Sequence, residues 1–210
     1  MDNTSLTVAK QLLGIGAIKL SPAKPFTWAS GWHSPIYCDN RKALSYIEPR
    51  DYIKQAFADE VRRQYPDAEV IAGVATGAIA QGALVADLLS KPFVYVRSAP
   101  KNHGLENLIE GDLRAGQKVV VIEDLISTGG SSLKAVDALR NAGSVVLGML
   151  AIFTYGFPQA EEAFKQAGVQ LTTLSNYQDL LAAAVEAGYV KDTDLQTLGE
   201  WRSNPAQWRQ

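Results

Sequence analysis

Two hydrophobic periods run along this chain, and after Pro66 they alternate. Before that point, Ser5 to Leu13 (SLTVAKQLL) spaces its apolar residues for a helix, and Gly14 and Gly16 follow as stops. Phe26 to Asp39 is rich in Trp, Thr, Ile and Tyr and is broken at Ser30-Gly31 and Ser34-Pro35, which predicts two short strands around a turn. Pro49 opens a predicted helix through Tyr65, because proline suits the first helical position. Beyond Pro66 the pattern predicts strands at Glu69–Val74, Pro92–Val96, Lys118–Ile122, Val145–Phe153 and Val169–Leu174. The intervening helices are expected from Gly77 to Leu89, Thr128 to Asn141 and Pro158 to Ala167, with a last one from Tyr177 to Ala187.

Strands alternating with helices imply an α/β fold, a parallel sheet covered on both faces. The unbroken run Val119-Val120-Val121-Ile122 fits a central strand buried on both sides. Ser98 to Gly116 fits neither period and carries Pro100, Gly104, Gly111 and Gly116 among charges. Such a long irregular stretch inside a compact domain is usually functional or disordered.

Composition narrows the function by exclusion. A length of 210 residues fits one domain, residues 1–210. A net charge of −2 gives no global basic face for nucleic acid, so any bound anion must be held by a local arrangement. Cys38 is the only cysteine, which excludes an intrachain disulfide and a cysteine-built zinc site. No apolar stretch reaches the roughly 18 to 20 residues that cross a bilayer, and the first residues lack a signal-peptide pattern. The expectation is a cytoplasmic protein without membrane or nucleic-acid partners.

The densest chemistry lies in VVVIEDLISTGGSS, Val119 to Ser132. An apolar strand ends in two acids, Glu123 and Asp124; a turn of Leu125, Ile126, Ser127, Thr128, Gly129 and Gly130 follows, and a helix is expected near Ser131. Ligands of parallel sheets bind at the carboxyl ends of the strands, where this turn falls. The helix start offers unpaired N–H groups and a partial positive charge to a phosphate, the glycines let backbone approach it, and Ser127, Thr128 and Ser131 add hydroxyls. No Lys follows the glycines, so this is not a P-loop. Carboxylates repel phosphate but accept from sugar hydroxyls, and neighbouring strand residues face opposite ways, so one acid aims fully into the cleft. The bland reading is a common Ser/Thr cap with solvated acids. Paired acids after a buried strand, with three hydroxyls, favour a phosphoribose site.

The segment resembles the ribose-phosphate motif of the type I phosphoribosyltransferases. FTWASGWHSPIYCDNR (Phe26 to Arg41) and YVRSAPKNHG (Tyr95 to Gly104) resemble the orotate phosphoribosyltransferases within that family, with matching spacing over most of the chain. The resemblance implies a parallel sheet flanked by helices and a small N-terminal hood, contributed mainly by residues 1–48. It implies transfer of the phosphoribosyl group from phosphoribosyl pyrophosphate to orotate, giving orotidine 5'-monophosphate and pyrophosphate in pyrimidine biosynthesis. Magnesium is implied as a cofactor held mainly by the pyrophosphate, with no dedicated protein metal site. Glu123 to Ser131 match the ribose and phosphate binders, and Ser127 matches a position that also reaches orotate. Arg97, Lys101 and His103 match pyrophosphate binders, the latter two on a loop that in the family reaches across a homodimer. Tyr37 and Cys38 fall where the family lines the base pocket. Lys101, His103 and Asp124 are therefore the catalytic candidates, with Asp124 the acid nearest the sugar.

The residue chemistry agrees with those assignments. Arg97 can grip phosphate through paired N–H bonds, Lys101 brings a movable charge and His103 titrates near neutral pH. Taken singly, Arg97 as a surface ion pair and Lys101 as a solvated loop lysine are the commoner fates; His33 is assigned to surface structure. Many family members carry Lys at the positions of Ala29 and Ser98, another Lys near Gly73 to Gly77, and an orotate-binding Arg in the Phe153 to Gly156 stretch. Arg41 is the substitute proposed for the substrate carboxylate. The competing readings are transfer to another base, a non-catalytic sensor of the sugar pyrophosphate, and a plain nucleotide-binding module. The sensor lacks spare length for a nucleic-acid module, and the plain module leaves the Arg97/Lys101/His103 stretch without a purpose.

Overall fold

The computed structural model describes residues 3–28, 31–99 and 108–209. Its centre is a six-stranded sheet of β5 (Val70–Val74), β6 (Phe93–Val96), β7 (Ile109–Glu110), β8 (Lys118–Ile126), β9 (Val145–Thr154) and β10 (Leu171–Asn176). The strand order is β10-β9-β8-β5-β6-β7, parallel throughout except for the edge strand β7.

Period-two alternation sends successive residues to opposite faces. Val120, Ile122, Ile71 and Leu150 join one core with α1 (Thr4–Gly14), α2 (Ile47–Gln64), α3 (Ile79–Leu88), α6 (Tyr177–Glu186) and α7 (Leu195–Ser203). Val119, Val121, Val70 and Met149 join a second core with α4 (Gly130–Asn141) and α5 (Pro158–Gln166). Val119 to Ile122 are fully buried, as the apolar run demands of a strand between two helical layers.

The N-terminal segment builds two smaller sheets. β2 (Phe26–Thr27) pairs antiparallel with β3 (His33–Ser34), and β4 (Ile36–Cys38) pairs antiparallel with β1 (Ile18–Leu20). A 3-10 turn at Asn40–Ser45 then leads into α2. The two-strand expectation for Phe26 to Asp39 thus resolves into three strands, and β1 recruits a segment too short to show alternation.

Other boundaries move for physical reasons. Helix α2 starts at Ile47, with Pro49 inside its first turn, where a missing N–H costs nothing. Strand β8 runs on to Ile126, so Glu123 and Asp124 lie within it and the turn shortens to Ser127–Gly129. The stretch Ser98 to Gly116 yields β7, too short for a period to register. Helix α7 forms despite Gly199 at its middle because burial of Leu198 and Trp201 outweighs the weak local propensity.

The chain end closes over the N-terminal strands. Trp201 is fully buried and meets Trp28, Tyr155, Phe157 and Tyr177 at ring-centroid distances of 5.7, 5.6, 5.5 and 5.5 Å. Arg209 donates to the carbonyl of Pro22 (2.8 Å), and His33 Nδ1 bonds the carbonyl of Arg209 (2.5 Å). His33 is therefore structural, as its turn position led us to expect.

Candidate active site

Strands β5 and β8 are neighbours, yet the chain leaves β5 toward β6 on one side and β8 toward β9 on the other. Such a reversal opens a crevice beyond the carboxyl ends of the two strands. Glu123, Asp124 and the turn Ser127–Gly129 stand at that crevice.

The two acids have opposite environments. Glu123 is only 4% exposed and faces α4: the Ser132 hydroxyl donates to its Oε2 (2.8 Å), and the Asp124 backbone N–H donates to its Oε1 (2.8 Å). Burial, reinforced by the neighbouring Asp124 charge, pushes its pKa up to about 8, so at neutral pH it mostly holds its proton. Asp124 is half-buried and reaches across the crevice to Gly77 beyond β5. A Cβ on Gly77 would lie 2.0 Å from Asp124 Oδ2, so only glycine leaves the carboxylate its place.

The folded state binds the Glu123 proton more tightly than the unfolded chain, so native stability falls as pH rises from the ordinary carboxylate range toward about 8. Glu123→Gln cannot titrate, keeps the shape, and its amide can bond Ser132. Its melting temperature relative to wild type is expected to climb between pH 5 and pH 8.5. Parallel curves across that range would show that Glu123 ionises freely.

The turn delivers the helix start. Gly129 caps α4 in the left-handed region (φ 83°), which an L side chain rarely adopts, and a Cβ there would press on Phe164 at 2.9 Å. Gly129 at the N-cap has no side chain to cap α4, and among the described residues the first-turn amides stay available to an anion. A cavity of about 540 Å³ lies alongside, walled by Gly130 and Ser131 of α4, Val74 and Ala75 after β5, Lys134, and Arg97 and Ser98 after β6. Arg97 thus opens onto the same space as the turn; its Nη1 lies 3.5 Å from Glu110 Oε1. Lys134 is a basic side chain of this space that sequence reading did not single out. Lys101 and His103 lie outside the described residues.

A second cavity of about 260 Å³ opens on the N-terminal side of the turn. Thr27, Trp28, Tyr37, Cys38, Leu125, Ser127 and Tyr155 line it. The structure therefore brings Ser127, Tyr37 and Cys38 together and adds Trp28, which the sequence pattern had assigned only to a strand, and Tyr155, which it had placed just beyond one. Tyr37 is 44% exposed and packs on Phe26 at 5.8 Å, while Trp28 is fixed by donating Nε1 to the Ile36 carbonyl (3.0 Å). A slot of this size with aromatic walls and the hydroxyls of Thr27 and Ser127 in its lining suits a flat heterocycle.

Arg41 does not line that slot. Its Nε pairs with Asp39 (2.6 Å) on the exposed side of the same turn, within electrostatic reach of Asp124 and Tyr37. The Phe153 to Gly156 stretch receives a different arginine: Arg202 of α7 donates to the carbonyls of Tyr155 and Gly156, both at 3.0 Å. Its guanidinium borders a separate groove with Trp32 and Phe157.

Residues 41–174 match the model of the phosphoribosyl transferase domain. Orotate phosphoribosyltransferase of Bacteroides fragilis is 61% identical over 208 residues, 99% of this chain and 98% of its own length. The chain belongs to the orotate phosphoribosyltransferase family. The family member from Listeria monocytogenes is 51% identical over 201 residues, 96% of each chain. The crystal structure of orotate phosphoribosyltransferase from Aeropyrum pernix superposes with a TM-score of 0.74 at 29% identity, covering 88% of this chain and 99% of that one. A type I phosphoribosyltransferase sheet is therefore the fold, as its motif implied.

Proposed function

We propose that this chain transfers the phosphoribosyl group of phosphoribosyl pyrophosphate to orotate, releasing pyrophosphate and orotidine 5'-monophosphate for pyrimidine biosynthesis. The observation that carries the reading is the meeting of three features at one switch point: a helix start capped by glycine, a half-buried Asp124, and an aromatic slot with Ser127 in its wall. Near-full-length relatives that bear this family's name support it.

In this reading the 5'-phosphate sits on the amides and hydroxyls of Ser127 to Ser131, and Asp124 accepts from the ribose hydroxyls. Orotate lies in the slot between Tyr37, Trp28 and Tyr155 with Ser127 at its edge. Arg41 is the cation proposed for its carboxylate, moving off Asp39 to reach it. Pyrophosphate extends toward Arg97, and Lys101 and His103 complete its neutralisation from a partner subunit. Positive charge grows on the anomeric carbon as pyrophosphate departs. Catalysis comes chiefly from holding both reactants in line and offsetting leaving-group charge.

Members of the family generally use magnesium with the sugar pyrophosphate. The donor chemistry here fits it: Asp124 offers an oxygen ligand, and a magnesium ion keeps most of its shell as waters and substrate oxygens. When bound, the ion supplies further charge to the departing pyrophosphate.

The test is the orotate absorbance, followed as sugar pyrophosphate and magnesium are added. Loss of signal is expected; turnover of a purine or uracil with orotate untouched would overturn the base assignment. Mixing the impaired Lys101→Ala and Asp124→Asn proteins is expected to raise activity above that of either parent if sites are shared across a homodimer. A mixture no more active than its parents would place Lys101 in its own subunit's site.

A further inference from the structure

We propose that Asn40 is a positioning residue that holds Asp124 for the sugar and ties it to the base slot. Strand β8 loses its β5 neighbour beyond the pair Gly73 and Ile122, so the last part of β8 projects past β5. Backbone there needs another partner, since a buried carbonyl left unbonded is costly. Asn40 supplies it: its Nδ2 donates to the Asp124 carbonyl at 2.6 Å, across a sequence separation of 84 residues. The Asp124 N–H is likewise held by a side chain, Glu123 Oε1. Both backbone groups of the sugar-facing acid are thus set by side chains.

The other end of the same amide reaches the base slot. The Cys38 thiol, one of the slot's walls, donates to Asn40 Oδ1 at 3.2 Å. Asn40 is 3% exposed, so the amide has little freedom to turn away. An amide suits this place because it donates and accepts at once and carries no charge to oppose Asp124. One buried side chain therefore links the N-terminal strands to the acid, and displacement of one is felt at the other.

The inference rests on the function proposed above, but its test does not require orotate. The cycle comprises wild type, Asn40→Ala, Asp124→Asn and the double variant, each titrated with ribose 5-phosphate by calorimetry and assayed for turnover. Asn40→Ala alone is expected to weaken sugar binding and turnover about tenfold. In the Asp124→Asn background the same change is expected to add less than twofold, because its route of action is already gone. Equal losses in both backgrounds would overturn the proposal and make Asn40 merely structural. Asn40→Ser, which keeps a short polar side chain, enters the same cycle if Asn40→Ala does not fold. Wild type that binds ribose 5-phosphate but ignores orotate would sink the base assignment alone.

Discussion

Asp124→Asn is expected to slow phosphoribosyl transfer about 10- to 100-fold while leaving the melting temperature unchanged. The substitution keeps the volume that Gly77 leaves open and keeps one carbonyl oxygen in place. In the function proposed above, it removes the negative charge that accepts from the ribose hydroxyls and faces a sugar ring becoming positive. Hydrogen bonds to charged groups contribute about 1.5–3 kcal/mol, which converts to that range of rates. Steady-state turnover beside a thermal melt checks it. An unchanged rate would move the sugar contact off Asp124, and a fall in melting temperature in step with activity would make the residue structural.

The largest effect on folding is expected at Trp201→Ala. The ring is fully buried among Trp28, Tyr155, Phe157 and Tyr177, and its removal leaves a large hole that rigid aromatic neighbours cannot fill. Losses of about 3–5 kcal/mol accompany such truncations, which for a chain of this size lower the melting temperature by roughly 6–20 °C. Trp201→Phe is expected to cost much less. The indole Nε1 is buried and has no acceptor among the described residues, so Phe removes an unsatisfied donor along with part of the ring. Melting curves of the two variants check the order; equal losses would show that the indole nitrogen matters. Because Trp28 and Tyr155 also wall the slot proposed for orotate, Trp201→Ala is expected to raise the orotate KM more than that for the sugar pyrophosphate.

The sheet and its helices were legible because their patterns are strong. Val119 to Ile122 fits a strand with cover on both sides, and Thr128 to Asn141 has helical spacing with Gly143 as its stop. The turn was legible for a chemical reason, since two glycines and three hydroxyls directly after paired acids are more than a helix cap needs. The extension of β8 was hidden: two acids look like a strand's wet end, and nothing local reveals that Ser132 and a backbone N–H satisfy Glu123 inside the core. Trp28, Tyr155 and Asn40 were hidden for another reason. Each joins the site through contacts between distant segments, and a one-dimensional period carries no trace of those. Asn40 inside Cys-Asp-Asn-Arg looks like an ordinary polar turn until β8 is placed beside it.

The clasp between the chain's end and its beginning has a consequence for biogenesis. Translation delivers Trp28 long before Trp201 and Arg209, so the Gly129 turn can form on a nascent chain while the slot walled by Trp28 and Tyr155 still lacks its backing. Contacts spanning that much sequence close slowly and demand nearly the whole polypeptide. A chain released before Trp201 would keep the Gly129 turn and its helix while Trp28 and Tyr155 lacked the ring that backs them.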